Sequence, residues 1–226
     1  MSTQPTKDNS FFYYFSITLA VTVFFAFSTY SIVGKAHFNS WWPFITIHAI
    51  SVFLWYVLLV YQTKLIGIKN LKTHKKLGVM SVALAVILII SGITISITNY
   101  QVTKIANEVF ANFTFIILFG SFYVLAFKYR FKINVHKRFM LFASIAMLPP
   151  ALSRITRILN LNEEMMAAPT MILFLLVLPI YDYRKNKKVH RITIIGTLSI
   201  ILVLSVVMPI GNSSTWINFV KFILGS

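Results

Sequence analysis

Long apolar runs alternate with short polar connectors along the whole chain. Seven runs stand out: Phe11–Val33, Pro43–Ile66, Leu77–Thr98, Val109–Phe127, Phe139–Ile155, Ala167–Tyr181 and Ile192–Ile210. A helix needs about 20 mostly apolar residues to cross the hydrocarbon core of a bilayer, so the pattern predicts an all-α, polytopic transmembrane helical bundle of about seven spans. The fifth and sixth runs are short. Pro149-Pro150 in the fifth removes two backbone donors and is expected to kink or end that helix. The sixth reads as a span or a re-entrant piece, which sets the expected count at six to eight. Thr215–Leu224 reads as a short amphipathic helix lying at the membrane surface. The expected organisation is a cytoplasmic tail over residues 1–10, a transmembrane domain over 11–210 and an external amphipathic segment over 211–226.

Composition agrees with this pattern. Of 226 residues, 58% are hydrophobic and 12% charged, and the mean hydropathy is +0.78. A soluble domain carries about 25% charged residues. The net charge of +16 comes from 21 Lys and Arg against 5 Asp and Glu. Nucleic acid is not the expected partner, because the basic residues sit in short groups between apolar runs. Such groups flank a bilayer and meet anionic lipid headgroups. Lys7, the group from Lys64 to Lys76, the group from Lys128 to Arg138 and the group from Arg184 to Arg191 fall on one side and hold 16 of the cations; Lys35, Lys104, Arg154, Arg157 and Lys221 fall on the other. The positive-inside rule places the richer side in the cytoplasm. Seven spans then put the N-terminus inside and the C-terminus outside. No cleavable signal is expected, because the first apolar run is too long and no Ala-x-Ala site follows it. Trp41 and Trp42 suit an outer aromatic belt, and Tyr61, Tyr129, Tyr181 and Tyr183 an inner one. Gly78, Ser81, Ala85, Gly92 and Ser96 share one helix face, which suits close helix packing.

The absence of cysteine excludes disulfides, thiolate catalysis, Cys-ligated zinc and iron–sulfur clusters. No metalloprotease HExxH, phosphate-cradling glycine loop or Ser/His/Asp order occurs, so no catalytic residue is singled out. His48 lies six residues past Trp42, roughly 9 Å into the membrane, and shares a polar-edged stripe with Ser51, Trp55 and Gln62. An ionisable group at that depth is a candidate for function. His74, His136 and His190 each open a span on the cytoplasmic side. Two imidazoles facing each other across helices can ligate a b-type haem, with His74 and His136 the best pair; a basic interfacial collar is the competing reading for all three. His48 belongs to the opposite face, where His37 is the other histidine. Arg154 and Arg157 at the outer end of the fifth run either pair with Glu163 and Glu164 or bind an anion, a haem propionate or a quinone carbonyl. On a straight helix, Arg154 and His136 would share a face. Met165-Met166 suits copper or ordinary core filling. Asp182 and Glu108 are acids near span ends.

The run Pro43-Phe-Ile-Thr-Ile-His48-Ala, followed by Trp55, Gln62-Thr63 and His74-Lys-Lys-Leu-Gly78, resembles a group of uncharacterised bacterial multipass membrane proteins. The segment His136-Lys-Arg-Phe-Met140 with Leu148-Pro-Pro-Ala and Arg154 is similar to their later signature. The resemblance covers roughly residues 40–160, and that group is itself loosely similar to b561-like haem membrane proteins. It implies a multi-pass protein of the bacterial plasma membrane and lends weight to His48, His74, His136 and Arg154. It supplies no reaction.

Three functional expectations result. One is haem b, with His74 and His136 as axial ligands and His48 a further cofactor candidate, serving electron transfer or respiratory assembly. Another is a small-molecule transporter or binder with an outer-facing site of His48, Arg154 and Arg157. The last is an assembly partner of other membrane proteins, without chemistry of its own.

Overall fold

The computed structural model describes residues 7–33 and 42–225, without the side chains of residues 7–9, 42, 163–165 and 167. Lys35, His37 and Trp41 lie outside the described residues, as do the side chains of Trp42, Glu163, Glu164 and Met165.

The described residues form helices and no strand: α1 (Lys7–Ile32), α2 (Trp42–Gly67), α3 (Leu71–Thr103), α4 (Ala106–Lys128), α5 (Ile133–Ala146), α6 (Pro149–Ile158), α7 (Glu163–Asn186), α8 (Arg191–Gly211) and α9 (Ser214–Leu224). Five of them, α1 to α4 and α8, are long and apolar enough to cross a membrane, and α5 with α6 makes a sixth if the bent pair counts as one span. An all-helical chain of this kind is compatible with an integral, multi-pass membrane protein. Its surface agrees. On α2, Ile47, Ile50, Phe53, Leu54 and Val57 are exposed, while Ser51, Trp55, Tyr56 and Leu59 on the other face are buried. A water-soluble surface rarely shows such contiguous apolar area.

The chain divides into two compact units, Met1–Ser91 and Gly92–Ser226. In the first, α1 lies against α2, with Phe24 and Phe53 stacked at 4.7 Å. In the second, α5 lies against α4 and α8, α7 against α6 and α8, and α8 against α4. α5 is the central helix: every residue from Leu141 to Ala146 is buried. Its ring contacts run from Phe139 and Phe142 to Phe122 of α4. α8 comes close at Gly196, where an added methyl would overlap the Phe142 ring. Glycine is the residue that admits this approach.

The fifth apolar run breaks as its prolines require. α5 ends at Ala146, Pro149 and Pro150 open α6, and the two axes differ by 43°. Proline is well placed there, since the first turn of a helix has no partner for its N–H groups. With the axis bent between them, His136 and Arg154 do not lie along one straight helix. The sixth run is longer than expected, a 24-residue helix that carries Pro169 and Pro179 inside it. α9 docks by one face. Trp216 donates from Nε1 to the Ala106 carbonyl at 2.8 Å, and Val220 packs with Tyr100, Ala106 and Val109. Its other face exposes Phe219, Phe222 and Ile223.

Candidate functional site

In the second unit, the buried stripe of α7 runs Met171, Leu175, Leu178 and ends on Asp182. This spacing repeats every third or fourth residue and so holds one helix face. The carboxylate therefore occupies a core-facing position and is fully enclosed. Across from it, α5 turns Arg138 inward on the face of Leu141, Phe142 and Ile145, and the arginine is also buried. The first turn of α8 contributes Thr193.

These groups form one closed network. Arg138 Nη2 bonds Asp182 Oδ1 in a short ion pair. Arg138 Nε donates to Thr193 Oγ1 at 3.0 Å and more weakly to Asp182 Oδ2 at 3.3 Å. Thr193 Oγ1 in turn donates a hydrogen bond to Asp182 Oδ2. The His190 backbone N–H also donates to Oδ2, at 3.2 Å. Arg138 Nη1 donates to the Asn134 carbonyl at 2.8 Å. Both carboxylate oxygens and all three guanidinium nitrogens are thereby engaged, the condition under which an enclosed ion pair is tolerated.

The cluster ties together the start of α5, the end of α7, the start of α8 and the α7–α8 connector. These ends carry Lys132, Arg184, Lys185, Lys187, Lys188 and Arg191. Arg138, which the sequence places among the loop cations, is instead buried in an ion pair.

The histidines divide by role. His190 sits in the connector as the N-cap of α8, its Nδ1 accepting from Ile192 N–H at 3.1 Å. Burial lowers the pKa of its imidazole, and the nearby Arg138 charge adds to the effect. His136 is half-buried three residues into α5, with Nδ1 at 2.8 Å from the Ala126 carbonyl in the last turn of α4. A carbonyl only accepts, so Nδ1 carries the proton and, in the neutral ring, Nε2 the lone pair. In the first unit, Ser91 Oγ lies 2.6 Å from the Ile87 carbonyl and 2.9 Å from His48 Nδ1, so the hydroxyl links α2 to α3. The α2 stripe of His48, Ser51, Trp55 and Gln62 forms as expected, with Ser51 and Trp55 buried. Gln62 Nε2 donates to the His74 backbone carbonyl at 3.1 Å, and His74 itself is half-buried.

His48 and His74 belong to the first unit, and His136, Arg154 and Arg157 to the second. Arg154 donates to its own helix at the Pro150 carbonyl, 2.7 Å away, and Arg157 is exposed. Among the described residues, no three His, Cys, Asp or Glu side chains group as metal ligands. No family model matches the chain, and no curated protein and no solved structure matches it either.

Proposed function

We propose that the chain is a seven-span protein of the bacterial plasma membrane with its N-terminus inside, and that its second unit carries a small anionic solute past a cytoplasmic clamp made by Arg138 and Asp182. The supporting observation is a carboxylate and a guanidinium wholly enclosed among apolar helices, in a chain with only 5 acidic residues. Ionisable groups inside membrane bundles are costly and belong to substrate or ion paths. α7 is the seventh span beside the six; seven spans would gather 16 of the 21 cations on one side, which the positive-inside rule makes cytoplasmic.

An anion can open the clamp, because carboxylates and phosphates compete for the same guanidinium fork. Freed from Asp182, the ends of α5, α7 and α8 lose the contact that joins them.

The cysteine-free background offers a clean test. Thr197 is buried one turn along α8 from Thr193. A Thr197→Cys variant in inside-out vesicles should react slowly with a maleimide, and at least about tenfold faster when Asp182→Asn is added, since a tenfold change needs only about 1.4 kcal/mol of clamp free energy. Restoring the pair in reversed order, Arg138→Asp with Asp182→Arg, should slow it again. Equal rates in all three would make the pair a fixed strut and leave an assembly role as the better reading.

The haem b reading has separate support in His136. An imidazole whose Nδ1–H is held by a carbonyl presents Nε2 to a metal, the arrangement common among ligating histidines. His190 fits poorly, since its Nδ1 caps α8. Purified protein from haem-replete cells should show a Soret band that His136→Ala removes, with His74→Ala testing the second ligand. A colourless preparation would end this reading.

A further inference from the structure

The connector between α7 and α8 borders a cavity of about 410 Å³ lined by Asn186, Lys188, Val189, His190 and Arg191. Lys187 turns the chain with a left-handed φ of 53°, so the connector folds back within a few residues. No acid lines the cavity, and most of the lining is apolar. Lys188 and Arg191 are exposed and enter no ion pair with a described residue. Long cationic side chains combine an apolar stem with a charged head, so an apolar floor can sit beneath a cationic rim.

We propose that this cavity binds the phosphate group of an anionic phospholipid. Charge complementarity selects the phosphate. The apolar floor and the position at the ends of two helices select a lipid over a free ion, because the connector then lies at headgroup depth. The glycerol and the first acyl carbons rest against Val189, and the phosphate sits between Lys188 and Arg191. A bound headgroup also bears on the segment whose His190 N–H holds Asp182, which steadies the clamp from outside. The site depends on the membrane location alone and stands whether or not the clamp opens for a solute.

Native mass spectrometry of the full-length protein in mixed micelles tests this directly. Retention of phosphatidylglycerol should fall at least about tenfold in Lys188→Gln/Arg191→Gln, as two lost interfacial cations imply. It should be unchanged in Lys72→Gln/Lys75→Gln, which removes the same charge from another connector. Phosphatidylcholine retention should not respond to either pair. Equal losses in the two double variants would overturn the site in favour of a diffuse charge effect. Displacement of the lipid by inorganic phosphate would overturn the lipid assignment and leave a free-anion site.

Discussion

Removing the Asp182 carboxylate leaves the Arg138 guanidinium enclosed, with the Asn134 carbonyl and the Thr193 hydroxyl still in reach and no counter-charge. Breaking a buried pair in this way typically costs about 3–5 kcal/mol, whereas replacing both partners by apolar residues of similar size is near neutral or stabilising. Asp182→Ala should therefore destabilise the protein by about 4 kcal/mol, and Arg138→Met/Asp182→Leu by about 1 kcal/mol or less. Thr193→Val, which removes one hydroxyl from the network, should cost about 1 kcal/mol. Reversible unfolding in mixed micelles of increasing dodecyl sulfate content, followed by the fluorescence of the 4 tryptophans, gives the free energies. The diagnostic is non-additivity: the double variant should be more stable than Asp182→Ala. A double variant that costs the sum of its single changes, or an Asp182→Ala cost within error of zero, would refute the view that the two charges exist to satisfy each other.

Gly196→Ala drives a methyl into the Phe142 ring and should cost about 1–3 kcal/mol, as overpacking does; adding Phe142→Leu should recover part of the loss in the same unfolding assay. Trp216→Ala removes the indole bond to Ala106 and the ring contact with Phe110. For a half-buried tryptophan, we expect about 2 kcal/mol and faster proteolysis at the α9 end, with α8 still protected.

The helices able to span a bilayer were legible in the sequence because a bilayer demands length and apolarity together, and α1 to α4 and α8 have both. Their ends were less legible. α3 starts at Leu71 and runs to Thr103, through lysines and polar residues that helical backbone accepts but a hydropathy pattern discards. The proline break was legible from Pro149-Pro150 alone. The charge cluster was half visible. Asp182 stood out as an acid near a span end, but Arg138 was masked by His136 and Lys137, with which it reads as a basic collar. A usable signal was present: Arg138 continues the face of Leu141, Phe142 and Ile145, and Asp182 the face of Met171, Leu175 and Leu178. A charge in phase with a buried stripe must find a partner there. Thr193 and the His190 N–H carry no such signal, because their part in the network depends on how α8 meets α7.

Single-cysteine accessibility mapping in intact cells bears most directly on the proposed topology and on the proposed cytoplasmic position of the clamp. Cysteines placed at Lys72, Lys132 and Lys187 should resist an impermeant maleimide until the cells are opened, while one at Lys104 or Lys221 should react at once. Labelling of Lys132 and Lys187 on opposite sides, or of all five positions in intact cells, would contradict both the topology and the cytoplasmic clamp.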